Sequence, residues 1–426
     1  MTTNNLNENR YSEAINYYNK PFVLPKSPDG SPHTSSFAEL YERVQPFCRK
    51  IGLRRLNNLT GLDRIGIPVV NAIRPNLSGM SVSHGKGVTL EGSKASALME
   101  SLERYHGFTA DLAYLDCSYE ELSRNHNTIP LNRLDLCKRS AFNPRLPEKW
   151  VRGWDLMGGQ EVMVPLRLTL LRRLPYELDS FAQSSNGLAC SLEFMESLTQ
   201  ALFEVVERDA LTCQHFLMRS HRQPFPLTRV RLESIISPLL KELLLKIEKA
   251  GILPSLFDCT VDTEIPTYEC TLFDIKDPKM IMCRGMGAAL DVETAMVRAI
   301  TEAVQARAVS LSGCRETFFA AEMMPASIQN ISAMLKALEQ RPQSCCRDID
   351  AAERPSIKTG SFEEDINICL EKLKKIGIEQ AIVIDLTEKG APFSALRVIV
   401  PGLEGCDDLL SFAPGIRAKK YMEMAS

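Results

Sequence analysis

The stretch Ser83–Gly107, SHGKGVTLEGSKASALMESLERYHG, decides how the rest of the chain is read. Wound at 3.6 residues per turn, it places Ser96, Glu100 and Glu103 on one helical face at i, i+4 and i+7. Leu98, Leu102 and Tyr105 share that spacing on roughly the opposite face. Thr89 is a candidate N-cap and Gly107 a candidate stop. The Gly-Lys-Gly turn ahead of the helix offers backbone N–H groups and the Lys86 ammonium to an anion. It lacks the P-loop spacing G-x-x-x-x-G-K-[ST], and a flexible glycine turn accounts for it equally well.

The design recurs twice. In SNGLACSLEFMESLTQALFEVVERDA, Ser185–Ala210, the residues Glu196, Gln200, Glu204 and Glu207 run down one side, and Leu198, Leu202 and Val205 down the other. In GMGAALDVETAMVRAITEAVQAR, Gly285–Arg307, Arg298, Glu302 and Gln305 share a face, and Asp291 is the candidate N-cap. For any one such helix a water-facing polar side is the simpler account. The company argues otherwise: the acids lack lysines one turn on that would support them in solvent. Grouped carboxylates repel unless a cation intervenes, and hard oxygen donors in this number suit Mg²⁺ bound together with a polyphosphate.

Composition narrows the function classes. A net charge of -3 over 426 residues gives no electrostatic basis for nucleic-acid binding. The polar start, MTTNNLNENRYSEAINYYNK, has no apolar stretch of the signal-peptide kind, and no apolar run approaches membrane-spanning length. A cytoplasmic protein is expected. The 13 cysteines contain no C-x-x-C pair, which argues against a zinc ribbon and a disulfide framework, and none has a context that marks a catalytic thiol.

Strand patterns alternate with long helices, so the fold class expected is mixed α/β, with strand clusters packed by long helices. Residues 1–40 read as a polar extension and linker, and 41–426 as one composite catalytic domain with its core at about 50–405. Ile67–Ile73 reads as an edge or irregular strand because of Pro68. Gly158-Gly159 joins a hairpin, Leu232–Ala250 is an amphipathic helix, and residues 339–360 form a mobile surface loop. A helix over Glu363–Lys375 and strands over Gln380–Asp385 and Ser394–Val400 follow.

The three quoted motifs, in order and with compatible spacing, resemble the ATP-binding motifs of YcaO proteins. TGLDRIGIPVVNAIRPN and RVIVPGLEG further resemble the branch of that family associated with a TfuA partner. The resemblance implies an ATP site unrelated to P-loops, often in a homodimer. Carried over by position, Glu100, Glu103, Glu196, Glu204 and Glu207 would hold Mg²⁺. Lys86, Ser96, Arg208, Glu302, Gln305 and Arg307 would lie near ATP, although Arg307 is off the face of Glu302 and Gln305. Leu192 departs from the family pattern, which often has Asn there.

The resemblance also implies ATP-dependent O-phosphorylation of a peptide backbone amide, which turns a poor leaving group into a good one. An attacking Cys, Ser or Thr of the substrate would give an azoline, and external sulfide a thioamide. The chain lacks the proline-rich tail common in azoline-forming relatives, which favours thioamide formation on a ribosomally made peptide or protein with a TfuA-like partner. A non-catalytic nucleotide-binding accessory protein is the alternative of another class. His84 and His106 flank the first motif and read as structural or surface residues.

Overall fold

The computed structural model describes residues 36–75, 82–134, 140, 142–172, 180–220, 227–274, 282–313, 346–405 and 413–424. Most of the expected N-terminal extension therefore lies outside the described residues. Ser36 caps helix α1 (Phe37–Lys50) with a capping box to Glu39. Strands β1 (Arg55–Asn58), β2 (Val69–Ile73) and β3 (Val82–Lys86) lead into helix α2 (Leu90–Thr109). Strands β4 (Tyr114–Ser118), β5 (Pro147–Asp155), β6 (Gln160–Pro165) and β7 (Leu188–Ser191) precede helix α3 (Phe194–Ser220).

Next come β8 (Leu227–Val230), α4 (Pro238–Lys249), β9 (Ile252–Asp258), β10 (Thr267–Asp274), β11 (Cys283–Ala288) and α5 (Val292–Leu311). The remaining elements are β12 (Cys346–Ile349), α6 (Phe362–Lys375), β13 (Ile382–Asp385), β14 (Ser394–Ile399) and α7 (Ile416–Met424). Each of the three glutamate helices follows a short strand across a turn of two or three residues, as β3–α2, β7–α3 and β11–α5. The mixed α/β class is as expected.

The chain divides into two compact units. One comprises residues up to Ile51 with Leu102–Ser220 and Thr359–Ser426, the other Gly52–Ser101 and His221–Lys358, so the division falls inside α2. The first unit holds a sheet ordered β4-β5-β13-β14-β7, with β6 also paired to β5 and every pairing antiparallel. Helix α3 packs on β7 and β14, and α6 and α7 pack on α3. Its leucines at 198 and 202 and Val205 are buried as the helical pattern requires.

The second unit holds a three-stranded sheet, β1-β2-β3, and a five-stranded sheet, β11-β10-β9-β8-β12. Its core gathers α4, α5 and the inner faces of β9 to β11 into one apolar cluster. Helix α5 lies against β11 at backbone distance. A Cβ added to Gly285 would sit 2.0 Å from the Ala303 nitrogen, and Ala295, Ala299 and Ala303 are fully buried beneath it. At β3 the same device repeats: a Cβ on Gly85 would sit 2.1 Å from the Ser93 oxygen and 2.2 Å from the Ala97 nitrogen.

Caps fall where the sequence places them. Thr89 Oγ1 accepts from the Gly92 N–H at 3.1 Å, and Asp291 Oδ2 from the Thr294 N–H at 3.1 Å. Four expectations need correction. Strand β2 is central, not an edge, because Pro68 lies just before it and so costs the ladder no donor. Helix α2 runs past Gly107 to Thr109, since that glycine makes room for Leu171 and Leu188 side chains and does not cap.

Ser237 and Pro238 start α4, leaving Leu232–Ser234 as a separate 3-10 turn. The expected loop at 339–360 contains β12, paired in parallel with β8. Cys48, Cys117, Cys190, Cys213, Cys259, Cys270, Cys283 and Cys369 are free, and all but half-buried Cys117 are buried. Burial pushes the Cys283 thiol up to about 11, away from thiolate reactivity.

The close approach at β3 is directly testable. Gly85→Ala should lose roughly 1–3 kcal/mol or more through overpacking against helix backbone. Gly61→Ala, where an added Cβ meets nothing within 4 Å, should stay within about 0.5 kcal/mol of the unaltered chain. Denaturant midpoints of the two variants check the contrast; equal losses would refute the packing account.

Candidate functional site

In the second unit, β3 is the meeting point. The His84 N–H donates to Glu100 Oε2 at 3.2 Å, and the His84 carbonyl accepts from Gln305 Nε2 at 2.5 Å. The Lys86 N–H donates to Ser96 Oγ at 3.3 Å, and the Lys86 ammonium pairs with the Glu302 carboxylate. Ser96 and Glu100 on α2 and Gln305 on α5 thus bond the backbone of Lys86 and His84, and Glu302 on α5 pairs with the Lys86 side chain. The glycine-permitted approach at β3 sets this geometry, because only a helix lying directly on the strand brings short side chains to its amides.

Arg307 goes elsewhere. It is 3% exposed, with Nε 2.9 Å from Asp63 Oδ2 and Nη2 2.9 Å from Asp274 Oδ2. Arg64 joins Asp274 from the other side at 2.6 Å. Its fork is committed to two buried carboxylates, which accounts for its position off the Glu302–Gln305 face. His84 and His106 are buried structural residues, with Nδ1 2.7 Å from Asn71 Oδ1 and 2.8 Å from the Leu102 carbonyl, respectively.

The first unit carries Glu103, Glu196, Glu204, Glu207 and Arg208. Glu196 and Glu207 are 3% exposed, and Arg208 Nη2 lies 3.9 Å from Glu207 Oε1. Across both units none of the eleven expected residues is exposed. A freely water-facing helix side would expose them more fully. Leu192, which departs from the family's frequent Asn, is buried.

Sequence reading missed Arg397. It stands on β14 with its Nη1 donating to the Ser184 carbonyl at 3.0 Å, and its buried Nε has no hydrogen-bond partner in the protein. Burial pushes its guanidinium down to about 10, and the charges of Glu204 and Glu103 oppose that shift. It therefore stays protonated at neutral pH as the counter-charge of those two acids. A lone arginine within the apolar strand SALRVI was the available signal.

The donor set fits a magnesium–nucleotide complex: carboxylates, hard by chemistry and none of them fully exposed, and in the first unit an arginine with a spare donor for an anion. Among the described residues no three His, Cys, Asp or Glu side chains form a ready-made metal cluster. Mg²⁺ commonly takes one or two carboxylates and completes its shell with phosphate oxygens and water, so this donor set suits a metal that arrives with nucleotide.

The fold defines a mixed α/β protein whose candidate acids lie on long helices, each entered from a short strand without the P-loop spacing. The family model described as YcaO cyclodehydratase, ATP- and Mg²⁺-binding, matches residues 84–404, and the chain belongs to the YcaO family. It is 33% identical over 362 residues to an uncharacterised protein of Methanothermobacter thermautotrophicus, covering 83% of this chain and 90% of that one. It is 30% identical to an uncharacterised protein in the tfuA 3′ region of Rhizobium leguminosarum bv. trifolii, covering 86% and 87%.

The fold is similar to that of YcaO from Methanopyrus kandleri bound with AMPPCP and Mg²⁺ (TM-score 0.71, 21% identity, 90% of this chain and 95% of that one). It is also similar to a heterocyclase in complex with substrate and cofactor (TM-score 0.74, 20% identity), of which this chain spans about half, 54%. Among the described residues no helix is long and apolar enough to cross a membrane.

Arg307→Ala should cost about 3–5 kcal/mol of unfolding free energy, since it strands buried carboxylates. Lys86→Ala, which opens a half-buried pair, should cost about 1 kcal/mol or less. Urea titrations of both variants measure the difference; a larger loss for Lys86→Ala would reverse the assignment of the two cations.

Proposed function

We propose that this chain uses ATP to O-phosphorylate a backbone amide of a ribosomally made peptide or protein, and that sulfide then replaces the amide oxygen to leave a thioamide. The observation that carries the reading is that none of the glutamates expected from the three motifs is exposed, with Lys86 paired to Glu302 in one unit and Arg397 set against Glu103 and Glu204 in the other. Such a site supplies what phosphoryl transfer chiefly needs, positioning and charge neutralisation. Mg²⁺, which offsets phosphate charge when bound, would draw its ligands from Glu100, Glu103, Glu196, Glu204 and Glu207. Ser96, Lys86, Glu302, Gln305 and Arg208 would face the nucleotide, with Arg307 holding the α5 end of the site from behind.

The chemistry balances with sulfide as the sulfur source. Sulfide adds to the amide carbonyl, the oxygen takes the γ-phosphoryl group of ATP, and phosphate leaves as the carbon–sulfur double bond forms, with ADP as co-product. The choice of sulfide is supported by the relative in the tfuA 3′ region and points to a TfuA-like partner protein. The likeness to a heterocyclase supports a second reading, azoline formation by a Cys, Ser or Thr of the substrate.

Purified chain and partner, incubated with ATP, sulfide and candidate peptides, should yield a product in which one oxygen is exchanged for sulfur, read by mass spectrometry. Loss of one water instead moves the assignment to azoline formation. Glu100→Gln should slow ADP release by at least about 100-fold. A variant as fast as the unaltered chain would leave only the accessory, non-catalytic role.

A further inference from the structure

The back of α3 carries a charge pair with no part in the site described above. Asp209 is 0% exposed and receives a two-point contact from Arg417 of α7, Nε to Oδ1 at 2.8 Å and Nη2 to Oδ2 at 2.8 Å. The Glu404 N–H donates to the same Oδ1 at 2.9 Å. The Glu404 carboxylate in turn accepts from the Gly415 N–H at 2.9 Å and the Ala418 N–H at 2.8 Å, which ties down the start of α7. Carboxylate, guanidinium and second carboxylate form one closed, buried network between α3 and the segment after β14.

Helical geometry gives this network a mechanical meaning. Asp209 is five residues after Glu204 and two after Glu207, so it points about 140° and 200° round the helix from them. Apolar packing on that side, such as Phe216 with Ala418, is non-directional and resists rotation of the helix weakly. A bidentate carboxylate–guanidinium contact is directional. A carboxylate about 6 Å from the helix axis moves roughly 1 Å for each 10° of rotation, and sites of this kind tolerate only about 0.5 Å.

We propose that Asp209 and Arg417 are positioning residues that fix the rotational setting of α3, and through it the placement of Glu204, Glu207 and Arg208 for the magnesium–nucleotide complex. The proposal rests on the nucleotide-binding reading of the site. Stability is a poor explanation of the pair, because a buried ion pair roughly breaks even against neutral residues of similar volume. The cost it repays is therefore geometric.

Two variants of the full chain test it. Arg417→Lys keeps the charge but loses the fork. Asp209→Asn with Arg417→Met removes both charges and leaves an acceptor for the Glu404 N–H. Thermal midpoints within a few degrees of the unaltered chain are expected for both, with affinity for AMPPCP in the presence of Mg²⁺ weakened at least about 10-fold by calorimetry. ADP release should fall by about 10- to 100-fold.

Native affinity and native ADP release in both variants overturn the proposal. So does an unfolded double variant, since the pair would then serve stability. The unaltered chain is titrated alongside them. No binding there removes the nucleotide reading itself, whereas binding there that the variants match removes only the role of the pair.

Discussion

Backbone lying on backbone is the constraint on which the second unit depends. Glycine at 85 lets α2 settle on β3, and glycine at 285 lets α5 settle on β11, each at a distance that excludes even a methyl group. Once α2 is that close to β3, its polar side chains reach the strand's own backbone, as Ser96 and Glu100 do at Lys86 and His84, while Gln305 of α5 also reaches the His84 carbonyl. A larger residue at either glycine would push the helix away. The reach of serine and glutamine would then fall short of the strand, so packing and site geometry are one condition here.

Charge balance is the second constraint. Acids withdrawn from water need compensation nearby, since an uncompensated buried carboxylate costs several kcal/mol. Each unit answers within itself: Lys86 stands against Glu302, and Arg397 against Glu103 and Glu204. Both arrangements place a cation against acids whose hard carboxylate oxygens are the donors a divalent cation takes. Arginine is suited to the fully buried position because its charge survives desolvation that would neutralise lysine.

Much of this was legible because it is local. The helical faces of Ser96, Glu100 and Glu103, and of Glu196, Glu204 and Glu207, depend only on 3.6-residue spacing, and the caps at Thr89 and Asp291 only on residue type. What was not legible depends on partners remote in the chain. Pro68 suggested an edge strand, but its place one residue outside β2 is decided by pairing with β1 and β3. Gly107 suggested a stop, but its neighbours at 171 and 188 make it a packing glycine. β12 was hidden because a four-residue strand paired to β8, over a hundred residues away, leaves no periodic trace.

The arginines show why residue type alone does not assign a role. Arg307 sits in a family motif, and its fork is taken up by Asp63 and Asp274. Arg397 lies outside the three motifs, yet it keeps a buried donor without a protein partner beside two motif acids. Arg417 is further still along the chain and is saturated by Asp209, on the opposite side of the helix that carries Glu204. The same guanidinium thus is taken up by two carboxylates at Arg307, keeps a donor that the protein does not use at Arg397, or forks onto a single carboxylate at Arg417. What distinguishes the three is how many donors the protein itself consumes, a quantity that is fixed only when distant segments have folded together.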